Sequence, residues 1–193
     1  KENATGRYAF EWAPDSSRVA YLADQNTVDV IELYSNLPDG TNPVRLSVLP
    51  GTDRDVEDFA WSPDLNNFQL IAYRADEQTN DVIELFTTSP TATISQKISS
   101  GVGIGSNVTE FQWAPDAHRI AYIADKTVDM FELYTTIPNI LNDVIVSGSL
   151  AGTSDVLNFK WSPDSARLAY LVQTGTIPPD FILLTTPNAS LAS

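Results

Sequence analysis

The sequence predicts an all-β chain, a β-propeller of four repeats of four-stranded antiparallel blades. Three observations predict it. The first is a phrase that returns four times, as Phe10-Glu11-Trp12-Ala13-Pro14-Asp15, Phe59-Ala60-Trp61-Ser62-Pro63-Asp64, Phe111-Gln112-Trp113-Ala114-Pro115-Asp116 and Phe159-Lys160-Trp161-Ser162-Pro163-Asp164. The second is its spacing: the Trp-to-Trp intervals are 49, 52 and 48 residues, the range of stacked supersecondary units. The third is that each phrase is followed by further β-branched and aromatic runs separated by polar turns.

The first strand of each unit carries Phe-x-Trp, whose two aromatics lie two residues apart and so share one face of the pleat. Proline presets φ at the entry to the turn that follows, and the aspartate accepts backbone N–H bonds in an Asx-type turn. Four copies at one place in the unit favour this conformational role over a catalytic one. The second strand ends in Val19-Ala20-Tyr21, Ile71-Ala72-Tyr73, Ile120-Ala121-Tyr122 and Leu168-Ala169-Tyr170. The third contains Ile31-Glu32-Leu33-Tyr34, Ile83-Glu84-Leu85-Phe86 and Phe131-Glu132-Leu133-Tyr134. Weaker fourth strands are expected near Pro43 to Ser47, Ile94 to Ser99 and Asp143 to Ser147. Apolar residues also occupy the intervening positions of the middle strands, so both faces of each sheet must be covered. Sheets packed face to face around an axis meet that need. One domain, 1–193, is expected, with blades at about 7–50, 56–100, 108–150 and 156–193.

The repeated Phe-x-Trp-(Ser/Ala)-Pro-Asp, with (Ile/Val/Leu)-Ala-Tyr and Glu-Leu-(Tyr/Phe), resembles the WD-like propeller repeat of the periplasmic TolB family and of the propeller domains that precede prolyl-oligopeptidase-type hydrolases. The resemblance covers nearly the whole chain and implies a propeller fold, which hosts many unrelated activities. It also implies an exported bacterial protein, periplasmic or extracellular, and closure with six to eight blades.

Departures between the repeats carry the remaining information. The second unit has three extra residues around Leu65-Asn66-Asn67-Phe68-Gln69, and loops that break a repeat are where specificity is expected, so Asn66, Asn67 and Phe68 are the candidate binding residues. Arg18, Arg119 and Arg167 precede the tyrosines of units one, three and four, but they do not track the third-strand glutamates: unit four has Arg167 with Leu183 at the glutamate position. These charges read as solvated. Unit four ends soon after Asp180-Phe181-Ile182-Leu183-Leu184-Thr185, which leaves sheet faces and edges to be covered. A closed four-bladed ring, an eight-bladed ring of two chains, or membership of a longer propeller would cover them. The eight-bladed homodimer is preferred, because symmetric closure hides complementary edges of identical chains.

Eleven Lys and Arg against 25 Asp and Glu give a net charge of −14. So acidic a chain offers no nucleic-acid footprint, and anionic membranes repel it. No cysteine occurs, which excludes disulfides, thiolate metal sites and cysteine nucleophiles. No apolar run is long enough to span a bilayer, and the start at Lys1 is read as removal of a targeting segment or as trimming.

No catalytic constellation emerges. The single histidine, His118, stands in the turn after Pro115-Asp116, where other repeats have Ser17 or Ala166, and reads as an exposed turn residue. No Gly-x-Ser-x-Gly elbow follows. The loop Gly101-Val102-Gly103-Ile104-Gly105-Ser106 runs into a strand instead of a helix and is a connection, not a phosphate cradle. The acidic turns Asp24 to Asp29, Asp76 to Asp81 and Asp125 to Asp129 gather oxygen ligands suited to calcium, but turns favour Asp and Asn for conformational reasons alone. No catalytic residue, metal site or cofactor is assigned. The leading expectation is a non-enzymatic binding or scaffold module for a protein or peptide. The alternatives are a ligand- or metal-dependent enzyme with its site in the central channel, and a structural segment of a larger cell-surface protein.

Overall fold

The computed structural model describes residues 9–63, 69–127, 129–148, 150, 152, 154–176 and 180–186. These form four antiparallel sheets and no helix. Blade one comprises β1 (Phe10–Trp12), β2 (Val19–Ala23), β3 (Glu32–Asn36) and β4 (Val44–Arg45). Blade two comprises β5 (Val56–Trp61), β6 (Ile71–Ala75), β7 (Glu84–Thr88) and β8 (Ser95–Lys97). Blade three comprises β9 (Val108–Trp113), β10 (Ile120–Thr127), β11 (Met130–Thr136) and β12 (Val144–Ile145). Blade four has three strands among the described residues, β13 (Asp155–Trp161), β14 (Leu168–Gln173) and β15 (Phe181–Thr185). In every sheet the spatial order follows the chain order, a meander.

The first hairpins of blades one, three and four turn as their Pro-Asp pairs direct. The Oδ1 atoms of Asp15, Asp116 and Asp164 accept the backbone N–H of Ser17, His118 and Ala166 at 2.8, 3.0 and 3.0 Å. The intervening Ser16, Ala117 and Ser165 adopt φ of 62, 61 and 59°, which lets the two strands keep their twist across the turn. Asp64, with Leu65, Asn66, Asn67 and Phe68, lies outside the described residues.

The core is divided between blades rather than concentrated within one. Ala20, Leu22, Ile31 and Leu33 of blade one pack with Phe59, Trp61, Tyr73 and Phe86 of blade two, and two further clusters repeat the arrangement at the next junctions. Each junction is also hydrogen-bonded through tryptophan. The indole Nε1–H of Trp61 donates to the Glu11 carbonyl at 3.1 Å, that of Trp113 to Ala60 at 3.2 Å, and that of Trp161 to Gln112 at 3.2 Å. Each acceptor immediately precedes the tryptophan of the previous blade, so the motif that builds one strand also registers it against its neighbour.

The third-strand glutamates differ from their sequence expectation. Glu32, Glu84 and Glu132 are buried instead of solvated. Burial is tolerated because each has partners: Tyr34 OH donates to Glu32 at 2.5 Å, Arg45 pairs with Glu32 at 2.9 Å, Lys97 pairs with Glu84, and Tyr134 OH donates to Glu132 at 2.7 Å. Arg18 is buried too, its guanidinium donating to Ser35 Oγ and to the carbonyls of Ser35 and Asn42. In blade four, Tyr170 pairs with Leu184 as Tyr21 pairs with Tyr34, so Ile182 takes the glutamate position and Leu183 the position of Leu33.

Candidate functional site

Six residues before each of Trp61, Trp113 and Trp161 stands Asp55, Asn107 or Asp155. All three side chains reach back to the preceding blade: Asp55 accepts the Ile31 N–H at 2.6 Å, Asn107 that of Ile83 at 2.7 Å, and Asp155 that of Phe131 at 3.0 Å. The acidic turns complete a relay. Asp76 Oδ1 accepts the Asp55 N–H at 2.8 Å, and Asp125 Oδ1 accepts the Asn107 N–H at 2.5 Å. Asp29, Asp81 and Asp129 adopt left-handed φ of 64, 59 and 62°, which Asp tolerates better than branched residues do. The acidic turns therefore have conformational and capping roles along the blade junctions.

One junction goes beyond this shared scheme. Asp53, Asp55, Glu57, Asp76, Asp81, Ile83 and Asn107 line an open cleft of about 340 Å³ where blade two meets blade three. Blade two contributes both walls, through the approach to β5 and the β6–β7 turn. Glu57 is the extra residue of a bulge, since Val56 pairs with Ala75 and Asp58 with Arg74. Bulges re-aim side chains, and this one falls where the cleft opens. The same bulge holds Thr109 in blade three and Leu157 in blade four, so only blade two sets a charge there.

Burial first, and neighbouring carboxylates second, shift the acidity of two groups in the cleft. Burial pushes the Asp55 carboxyl above its ordinary value against the Ile31 hydrogen bond, and the Asp76 charge adds to the rise. Burial also raises Glu57; the Arg74 charge opposes it, while Asp55, Asp58 and Asp76 reinforce it. Nearby basic groups are committed to other partners. Arg54 donates to the carbonyls of Asp76 and Glu77, both at 2.9 Å. Arg74 makes a two-pronged pair with Asp58 at 2.8 Å and reaches the carbonyls of Val108 and Thr109. Five carboxylates outnumber the guanidinium groups of Arg54 and Arg74 beside the cleft, and hydrogen bonds to the main chain hold its walls. Among the described residues no group of three or more His, Cys, Asp or Glu is arranged to hold a metal ion.

The sequence-based candidates Asn66, Asn67 and Phe68 lie outside the described residues. The motif residues fall into two sets: Trp61, Trp113 and Trp161 are buried at junctions, while Pro14, Pro63, Pro115 and Pro163 occupy turns with Asp15, Asp116 and Asp164. Trp12 has no described blade on its outer side and is largely exposed. His118 is exposed, its Nδ1 2.7 Å from the Asp116 carbonyl oxygen. The cleft itself had a sequence signal, the run Asp53-Arg54-Asp55-Val56-Glu57-Asp58, which is far more acidic than Gly105 to Glu110 or Thr153 to Asn158 at the same place in later repeats.

No protein-family model and no curated protein sequence matches the chain. Solved structures do. TolB from Acinetobacter baumannii superposes with a TM-score of 0.52 at 15% identity, over 92% of this chain and 43% of that one. A puromycin-hydrolyzing peptidase from Mycobacterium tuberculosis superposes at 0.62 with 10% identity, over 93% of this chain and 27% of that one. An oligogalacturonate lyase in complex with manganese superposes at 0.54 with 14% identity, over 89% of this chain and 46% of that one. This chain spans less than half the length of each, and at such identities the likeness concerns fold alone. The four sheets are therefore consecutive blades of a TolB-like β-propeller fold.

Proposed function

We propose that this chain is a non-catalytic binding propeller, exported to the periplasm, that takes a cationic segment of a protein or peptide partner in the acidic cleft between blades two and three. One observation carries the reading: five carboxylates crowd a cleft of about 340 Å³, and burial pushes two of them, Asp55 and Glu57, above their ordinary pKa. A bound ammonium or guanidinium group relieves that repulsion, and hydrogen-bonded walls hold the carboxylates in place without cost at the moment of binding.

The test is fluorescence anisotropy with a labelled Lys/Arg-rich decapeptide and a neutral peptide of equal length. The Asp53→Asn/Glu57→Gln double variant keeps the Asp55 relay and removes two charges. The expected result is binding of the basic peptide alone, weakened at least tenfold in the variant and by added salt. Equal affinity of wild type and variant overturns the assignment of the cleft. Binding of calcium or manganese with no peptide binding replaces it with the metal-dependent alternative.

A further inference from the structure

The residue directly after the second-strand tyrosine is apolar in three blades: Leu22, Ile123 and Leu171. Leu22 and Ile123 belong to the apolar clusters at the junction with the following blade, and Leu171 holds the same register position in blade four. Blade two has Arg74 there, paired in register with Asp58 across β5 and β6. Its Nε and Nη2 clasp the Asp58 carboxylate in parallel, each at 2.8 Å, and Nη1 donates to the carbonyls of Val108 and Thr109 in blade three at 2.9 and 2.7 Å. Four of the five guanidinium N–H groups are spent in this way, which takes the planar fork of arginine and is beyond a lysine ammonium.

The fork joins two bulges. Asp58 closes the one that holds Glu57, and Thr109 is the extra residue of the next, two positions after Asn107. Glu57 of blade two and Asn107 of blade three both line the acidic cleft, whereas Arg74 is not among its lining residues. We propose, on the reading of the cleft as a site for a cationic segment, that Arg74 is its positioning residue: it pins the β5 bulge of blade two to the β9 bulge of blade three, and so holds Glu57 and Asn107 at a fixed separation. An ion pair set into a junction contributes little net stability compared with the apolar residue used elsewhere. Its contribution here is geometric, because groups held in place before the partner arrives need no ordering on binding.

Two variants separate geometry from charge. Arg74→Leu/Asp58→Asn copies the pair of Leu171 with Asn158 that blade four already folds around, and Arg74→Lys keeps the charge while giving up the fork. An effect of charge alone leaves both at wild-type affinity, since neither changes the net charge. Fluorescence anisotropy with the Lys/Arg-rich decapeptide is expected to show both weakened about fivefold, the scale of ordering a side chain anew on binding. Amide hydrogen exchange followed by NMR supplies a readout that needs no peptide. In the double variant the Ile83 N–H, held by Asn107, is expected to exchange faster, while the Phe131 N–H, held by Asp155 one junction away, keeps its wild-type rate. Wild-type affinity in either variant overturns the positioning role, and so does equal acceleration of both amides, which is general loosening. A wild type that binds no basic peptide overturns the reading of the cleft itself and this role with it, a failure distinct from the other two.

Discussion

Replacing Asp55 separates the two roles that its carboxylate combines, as a junction cap and as part of a charged cleft. In Asp55→Ala the Ile31 N–H loses its acceptor at 2.6 Å. The site is half-buried, so the orphaned donor is incompletely rescued by water, and removing such an acceptor costs about 1–3 kcal/mol. For a chain of this size that is a fall in melting temperature of roughly 2–12 °C. Asp55→Asn behaves differently. Asn107 performs the same task one blade later, accepting the Ile83 N–H at 2.7 Å, so an amide oxygen suffices. The amide also removes a charge that burial and Asp76 already disfavour. Differential scanning calorimetry at neutral pH is therefore expected to show a clear loss for Asp55→Ala and none for Asp55→Asn, while Asp55→Asn still weakens binding of a basic peptide. Equal destabilisation by both, or by neither, refutes the relay as the source of junction stability.

Two further outcomes follow from the same physics. Glu84 Oε2 is buried without a hydrogen-bond partner, and its blade has Phe86 where Tyr34 and Tyr134 supply a hydroxyl to Glu32 and Glu132. Phe86→Tyr is expected to stabilise the chain by about 1–2 kcal/mol in urea unfolding, and a loss of stability would show that the ring stacked on Tyr73 leaves no room for the oxygen. The pH dependence has two limbs. Burial pushes the carboxyls of Asp55, Glu57 and Glu110 above their ordinary pKa, so the native chain binds protons first and stability rises as pH falls toward the upper carboxylate range. Asp15 and Asp164 are lowered by hydrogen bonds, and Asp143 is lowered because bonds from Lys126, Ser100 and Tyr122 outweigh its burial. Their contribution is present above the ordinary aspartate range and lost as pH falls below it. Thermal melts across pH are expected to peak on the acid side of neutrality, and a monotonic decline from pH 7 downward counts against the first group.

What the sequence by itself determined is local in origin. The Phe-x-Trp pleat, the Pro-Asp turn, the Ala-Tyr strand and the places of β4, β8 and β12 all depend on residues within a dozen positions of one another, and repetition made each legible four times or three. The propeller followed, because sheets with two apolar faces must stack. Tertiary structure decided which side chains are buried and what each one meets across strands and blades. Glu32, Glu84 and Glu132 look like surface charges until Tyr34, Lys97 and Tyr134 are placed beside them. Asp55, Asn107 and Asp155 recur visibly in the chain, yet their purpose appears only when Ile31, Ile83 and Phe131 of the preceding blades present unsatisfied N–H groups. The bulge that displaces Glu57 into the cleft is a matter of strand pairing and has no signature of its own. Blade four shows how little separates the two kinds of knowledge: a shift of one residue in β15 exchanges Ile182 for Leu183 at the glutamate position and turns every side chain of that strand to the other face. Only the hydrogen-bonded pairing of Tyr170 with Leu184 fixes which apolar face is left open.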